Sequence, residues 1–387
     1  MSEYHMISNA FIVSFVFSFL CTGCLSASQS FDQKTLRFVH VIWRHGDRTP
    51  SYKTFPTDHN KLWTWPEGWG ELTKEGMREQ YALGQHLRRR YIDTGFLSKD
   101  YNNSEIYIHS TGFNRTILSA LANLAGMYPP SQSGIWLPGM TWQPIPVHSV
   151  PRMDDPTVWP DRPCPTAKDL TNEIMKSEEA KSIMTENADF LNFLRNVTGL
   201  KLESLIDIKF VYDPLNCESL HNHTWPSWVT REIFENISTL FHLSTKFFYP
   251  TVRLQRLRGG LLLGEIADRF LNKAKNSPLI QPPALKYFAY SAHDTTIIAQ
   301  LENFGAYDGY MPPYSSALLY ELHEKQPGKF TVEVYYLKDQ GSNHPIQVTV
   351  QGCGAVCDLE TFGDLARNRT PSDWYTECGL SNKDPSP

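Results

Sequence analysis

Leu36 to Trp43 (LRFVHVIW) is an apolar run of strand length with little alternation, the pattern of a strand covered on both faces in a parallel sheet. Downstream, Thr73 is placed to cap a helix in which Met77, Tyr81, Gly84, Leu87 and Tyr91 recur at helical spacing. Arg88, Arg89 and Arg90 crowd its carboxyl end, where cations are favoured. A short strand, Ile106 to Ser110, runs into a loop and then an apolar helix containing Ile117, Leu118 and Leu121. The order strand, helix, strand, helix predicts an α/β layered fold with ligands at the carboxyl ends of the strands.

From Pro151 to Tyr249 the pattern changes: proline-rich at first, then helical with polar faces and no strong strand. This stretch reads as an inserted helical cap. Leu254, Leu257, Leu261, Leu262, Ile266 and Phe270 restore a helical apolar stripe, and strands are expected at Tyr287 to Ser291, Ala317 to Leu322 and Phe330 to Leu337. The expected architecture is therefore a mostly parallel sheet flanked by helices (34–150 and 250–351), a smaller α-helical insertion (151–249) and a carboxyl-terminal tail (352–387). There is no internal repeat or low-complexity tract.

Composition narrows the class. With 36 Lys and Arg against 41 Asp and Glu the net charge is −5, and no basic block of the kind that binds a nucleic-acid backbone is present. At the amino terminus, Met6 to Leu25 contains no charged side chain and is followed by small residues at Ser26, Ala27 and Ser28. It reads as a secretory signal cut near Ala27, although Glu3 without Lys or Arg makes a poor n-region and leaves a signal anchor as the competing reading. No later segment is apolar for long enough to span a bilayer. The expected location is the secretory pathway, secreted or in the lysosomal lumen. Cleavage removes Cys21 and Cys24, so their CxxC spacing is not a metal or redox site, and Cys164, Cys217, Cys353, Cys357 and Cys378 remain. Five cysteines in an oxidising compartment leave one over; Cys353 and Cys357 suit a small-loop disulfide. Sequons at Asn102, Asn114, Asn196, Asn222, Asn236 and Asn368 fit the same route.

Chemistry concentrates directly after the first strand. Arg44-His45-Gly46-Asp47-Arg48-Thr49-Pro50 sets two guanidiniums and an imidazole within five residues. Arginine forks match phosphate oxygens, a neutral imidazole can attack phosphorus, Gly46 allows backbone to approach a ligand, and Pro50 stiffens the end of the loop. Three segments together, R-H-G-x-R-x-P, Ser110-Thr111-Gly112-Phe113-Asn114-Arg115-Thr116 and Ser291-Ala292-His293-Asp294-Thr295-Thr296, resemble the histidine acid phosphatase family of the histidine phosphatase superfamily. ELTKEGMREQYALGQHLRRRY, WQPIPVHSVP, YDPLNCES and GYMPPYSSALL extend the resemblance over nearly the whole mature chain.

The resemblance implies a phosphoglycerate-mutase-like fold and hydrolysis of phosphate monoesters through a phosphohistidine on His45, with Asp294 as proton donor. It implies that Arg44, Arg48, Arg115 and His293 hold the phosphate, without a metal or other cofactor. The substrate would be a small phosphomonoester or a phosphopeptide, and the resemblance also implies a homodimer. Within the superfamily a phytase or inositol-polyphosphate phosphatase is the alternative, although the insertion has no obvious cluster of basic residues; a catalytically inactive phosphate-binding protein is the other, opposed by the presence of His45 and Asp294. Cys164 with Cys378 resembles the family's long-range bridge. Cys217 has its family partner position occupied by Ala317, which predicts a free or intermolecular thiol that labels in the unreduced protein. Asn114 adjoins Arg115, so its sequon is expected to be unoccupied and glycans to sit at the other five. Trp63, Trp65 and Trp69 are candidates either for an apolar wall around the leaving group or for packing. His221 and His223 lack a further ligand at metal-binding spacing and read as surface-loop residues.

Overall fold

The computed structural model describes residues 33–51, 53–338 and 344–381; the expected signal segment, with Cys21 and Cys24, lies outside them. Strand β1 (Leu36–Arg44) is buried at all but one position. Helix α1 (Lys74–Leu87), strand β2 (Ile106–Ser110), helix α2 (Asn114–Met127) and the two-residue strand β3 (His148–Ser149) follow. The middle of the chain is helical: α3 (Pro165–Ile174), α4 (Glu178–Glu186), α5 (Ala188–Thr198), α6 (Lys209–Leu220) and α7 (Arg231–Thr245). The long α8 (Val252–Ala274) leads to β4 (Tyr287–Ala292), α9 (Asp294–Asn303), β5 (Ala317–Gln326) and β6 (Lys329–Leu337). Strands β7 (Ile346–Val348) and β8 (Val356–Asp358) and helices α10 (Leu359–Arg369) and α11 (Trp374–Glu377) complete the described residues.

The sheet runs in the order β3-β2-β4-β1-β5-β6-β7, with β8 also paired to β6. The strands β3, β2, β4 and β1 are mutually parallel, and pairing is antiparallel from β5 onward. Parallel register decides where the site falls. Arg44 pairs with Ala292 and Ser110 with Ser291, so three strands end together and deliver His45, Thr111 and His293 to one edge. Two side-chain bonds lock that edge: Trp43 Nε1 donates to Ser291 Oγ at 2.9 Å, and Ser291 Oγ donates to the Thr116 carbonyl at 2.7 Å.

Helix α1 buries a different face from the one its apolar spacing predicts. Gly84, Leu87 and Tyr91 are buried, but Met77 and Tyr81 are 40% and 42% exposed. The buried stripe instead contains Gly76, Gln80, Leu83 and Gly84, because α1 crosses α2 at backbone distance: a Cβ on Gly84 would lie 1.9 Å from the Asn123 carbonyl oxygen. On α2 the corresponding face is Thr116, Ser119, Ala120 and Asn123, with Leu118 turned outward. Small and polar residues make this contact, so hydrophobic periodicity misses it.

The helical middle has its own apolar cluster, including Leu191, Leu194, Leu202, Val211, Leu215, Ile237 and Leu240, joined by Phe55 from the loop after β1. Disulfides join Cys164 to Cys378 and Cys353 to Cys357. The first ties the start of α3 to the end of α11 across 214 residues of sequence. Cys217 is free, as the missing partner at Ala317 predicts, and it is fully buried on α6, which leaves its sulfur no surface from which to bridge to another chain. Among the described residues no helix is long and apolar enough to cross a membrane. Asn196, Asn222, Asn236 and Asn368 are exposed and Asn102 is half-buried.

Candidate active site

A cavity of about 1080 Å³ opens at the carboxyl ends of β1 and β4, and its lining includes Arg44, His45, Arg48, Arg115, His293 and Asp294. All six residues that the three sequence segments single out therefore share one pocket. The His45 and His293 rings stand 5.8 Å apart, centre to centre. His45 Nδ1 lies 2.8 Å from the carbonyl oxygen of Gly46. A carbonyl only accepts, so Nδ1 carries the proton of the neutral ring and Nε2 keeps its lone pair. Burial, then the charges of Arg115, Arg44 and Arg48, push the His45 pKa well below the ordinary histidine value, which favours that neutral form.

Each cation is held by a different part of the chain. Arg44 pairs with Asp294 Oδ2 at 2.9 Å, donates to the Pro312 carbonyl at 2.5 Å and lies 4.1 Å over the Tyr314 ring. Arg48 pairs with Asp213 Oδ1 at 2.8 Å; the other oxygen of Asp213 accepts from the Ser51 N–H at 2.9 Å. Arg115, on the first turn of α2, packs 4.6 Å over the Phe113 ring, and burial with the charge of Arg48 lowers its pKa to about 10. His293 donates from Nε2 to Thr111 Oγ1 (2.9 Å) and faces Arg115 Nη2 through Nδ1 at 3.5 Å. Burial and Arg115 keep it neutral too.

Asp294 begins α9, where the positive end of the helix favours a carboxylate. Burial pushes its carboxyl up, but Arg44, Arg48 and His293 outweigh that and hold it below its ordinary value. Gly46 serves a purpose other than the expected approach to a ligand. A Cβ there would lie 2.3 Å from the Gly76 carbonyl oxygen, so its bare backbone lets the loop rest on the first turn of α1.

The walls contain residues that the sequence left without a role. Asp213 lies in YDPLNCES and Tyr314 in GYMPPYSSALL, but only the folded chain brings them to Arg48 and Arg44. Phe113, Trp159, Tyr212, Phe241, Phe248 and Tyr249 supply the cavity's aromatic lining. Trp63, Trp65 and Trp69 are not part of it: Trp63 is 80% exposed, and Trp65 is buried edge-on against His221 and His223. Basic side chains beyond the six are also present, with Arg152, Lys209, Arg258 and Lys338 on the lining. Arg258 is bound to the carbonyls of Pro160 and Arg162, and Lys338 to Asp308. Cys217 Sγ lies 3.7 Å from Arg48 Nη1 and donates to the Arg48 carbonyl. Asn114 is exposed and donates to Glu71 at 3.1 Å.

A neutral histidine ringed by three guanidiniums and a second histidine, at the ends of parallel strands, is an arrangement for handling a phosphoryl group. The chain belongs to the histidine phosphatase superfamily, branch 2, whose family model matches residues 35–337. It is 41% identical to human prostatic acid phosphatase over 90% of this chain and 89% of that protein. It is also 40% identical to bovine lysosomal acid phosphatase (90% and 81%) and 40% identical to putative acid phosphatase 5 of Caenorhabditis elegans (89% and 80%). Among solved structures, the Hafnia alvei phytase in complex with myo-inositol hexakis sulphate superposes with a TM-score of 0.68, covering 90% of this chain and 99% of that one; at 18% identity this establishes the fold.

Proposed function

We propose that this protein is an acid phosphatase that hydrolyses phosphate monoesters in two steps. The observation that carries the proposal is the convergence of Arg44, Arg48, Arg115 and His293 on the cavity that holds His45. In the first step His45 Nε2 attacks phosphorus in line, the P–N bond forms, and the ester P–O bond breaks. Protonated Asp294 gives its proton to the departing alkoxide. In the second, ionised Asp294 takes a proton from water as it opens the phosphohistidine, which restores both groups. The guanidiniums bind the non-bridging oxygens, where charge spreads in the transition state, and the negative charge of the bound phosphate raises the His293 pKa so that Nδ1 takes up a proton and donates to them as well. Asp294 shares Arg44 with that phosphate. A bound phosphate draws on Arg44's charge and brings its own, and both effects raise the Asp294 pKa toward the protonated form the first step requires.

The proposal includes a cap role for residues 151–249, a location in the secretory pathway, and a homodimer. Its first test is turnover of phenyl phosphate at acidic pH by wild type and His45→Ala. We expect the variant to lose roughly 10³-fold or more of kcat, with no ³²P trapped on the protein in an acid quench. Retained turnover in the variant would overturn the assignment. A panel of simple and polyphosphorylated esters then separates this reading from a phytase.

A further inference from the structure

The sequence reading assigns His221 to a surface loop, but it reaches the phosphate-binding loop. His221, at the end of α6, donates from Nε2 to Asp47 Oδ2 at 2.7 Å, and the same oxygen accepts from Thr73 Oγ1 at 2.5 Å. Asp47 sits between Gly46 and Arg48 and is 2% exposed, and its Oδ1 has no hydrogen-bond partner among the described residues. The Asp47 N–H donates to Glu79 Oε2 at 2.7 Å, and Glu79 lines the catalytic cavity from α1. Trp65 closes the outer side, edge-on to His221 at 5.5 Å. Two carboxyl groups and one imidazole thus meet directly behind the loop that carries His45 and Arg48.

We propose that His221, Asp47 and Glu79 form an acid-sensing support that positions the phosphate loop and spares its positive charge only at acidic pH. This rests on the phosphatase reading of the same pocket. The hydrogen bond to Asp47 raises the His221 pKa against burial, helped by the charges of Asp47, Glu67 and Glu75, while burial raises Glu79 to about 7. Around His221 the other titratable neighbour is His223; around Glu79 they are Asp47, Arg44 and Glu75. In acid, protonated His221 balances the Asp47 carboxylate and Glu79 is neutral. The raised His221 pKa means the clamp is complete below the ordinary histidine value and is lost as pH rises through the higher value in the folded protein. Glu79 ionises over the same range. Two carboxylates then stand behind the loop without the His221 charge to balance them, and the field they create opposes that of the guanidiniums facing an incoming phosphate.

The support is a positioning device, so its signature is a pH-dependent ratio rather than a uniform loss. Wild type, His221→Ala, His221→Gln and Glu79→Gln are compared in kcat/KM on phenyl phosphate between about pH 5 and about pH 8. We expect His221→Ala to lose about ten-fold at the acid end, the size of one charge-assisted hydrogen bond, and to draw closer to wild type at the alkaline end, where the neutral ring keeps only an uncharged bond to Asp47. His221→Gln keeps a neutral donor and should show the same convergence from a smaller loss, which covers the case in which the alanine variant fails to fold. Glu79→Gln should raise the ratio of alkaline to acid activity several-fold above that of wild type. A loss that is constant with pH in both His221 variants, or a Glu79→Gln profile that superimposes on wild type, would overturn the support. The same ratios are read from calorimetric binding of inorganic phosphate. Failure of wild-type turnover therefore counts against the phosphatase reading, while a flat binding ratio counts against the support.

Discussion

The floor of the catalytic pocket takes Arg44, His45, His293 and Asp294 from the ends of two adjacent parallel strands, each within two residues of a strand end, together with Arg48 from the loop after β1 and Arg115 from the first turn of α2. Its walls take Asp213 from one helix of the central helical stretch and Pro312 and Tyr314 from the approach to β5, and behind the lining stand Cys217 on that helix and His221 at its end. On the floor every group lines the cavity and Asp294 is the one carboxylate among the cations; burial, with the neighbouring cations, keeps the histidines neutral. In the walls the charged groups face the floor residues instead. Asp213 holds Arg48, the Pro312 carbonyl holds Arg44, and His221 holds Asp47. A phosphate site made from repelling cations needs such backing, since three buried guanidiniums without partners would be costly to hold together. The floor supplies the chemistry and the walls supply its geometry.

That contrast breaks most sharply if a floor residue proves dispensable. Arg115→Ala is expected to cost roughly 10²- to 10³-fold in kcat/KM on an aryl phosphate, comparable to removing one preorganised donor from a transition-state site. It should also move the acid limb of the profile upward, because after burial Arg115 is the largest influence lowering the His45 pKa. His45 with a lowered pKa stays neutral, and so nucleophilic, until pH falls well below 6.5; without Arg115 it would protonate sooner. An unmoved acid limb would detach Arg115 from the nucleophile.

Asp213→Asn tests the walls. It keeps an oxygen for Arg48 but removes the charge, and we expect kcat to fall about ten-fold with KM changed by less than about three-fold, as suits a residue that orients rather than binds. A loss as large as that of Arg115→Ala would place Asp213 with the floor. The smallest expected effect concerns Cys217. Although its sulfur lies beside Arg48, it is fully buried and burial raises its thiol pKa. Among the five cysteines of the described residues, thiol labelling should modify none in the folded, unreduced protein and Cys217 alone in guanidinium, with native activity unchanged by the reagent. Labelling before unfolding would show that α6 opens from the floor.

The sequence was a good guide wherever function or burial left a contiguous trace. β1, β2 and the three later long strands lie close to their expected ranges, because a strand covered on both faces must be an apolar run. All six pocket residues were legible because each stands at a strand end or shortly after one in a short segment. Less was readable where contact depends on small residues or on distant partners. The stripe through Met77 and Tyr81 misidentified the inner face of α1, since two helices that meet through Gly84 and Asn123 need no large apolar side chains. The tryptophans after the phosphate loop were open to a leaving-group wall or to packing; Trp65 packs against His221 and His223, and other aromatic residues line the cavity.

By itself, then, the sequence determined which side chains can bind and attack a phosphoryl group, because that chemistry fixes residue types at close spacing. It also determined the alternation of strands and helices that brings them to one edge. Only the tertiary structure decided which carboxylate partners each arginine, that Cys217 is shielded, and that His221 and Glu79 meet behind Asp47. Those relations join residues far apart in the chain, 174 positions for Asp47 and His221 and more for Arg44 and Asp294. Distances of that kind are set by packing between elements, for which local sequence carries no period or spacing.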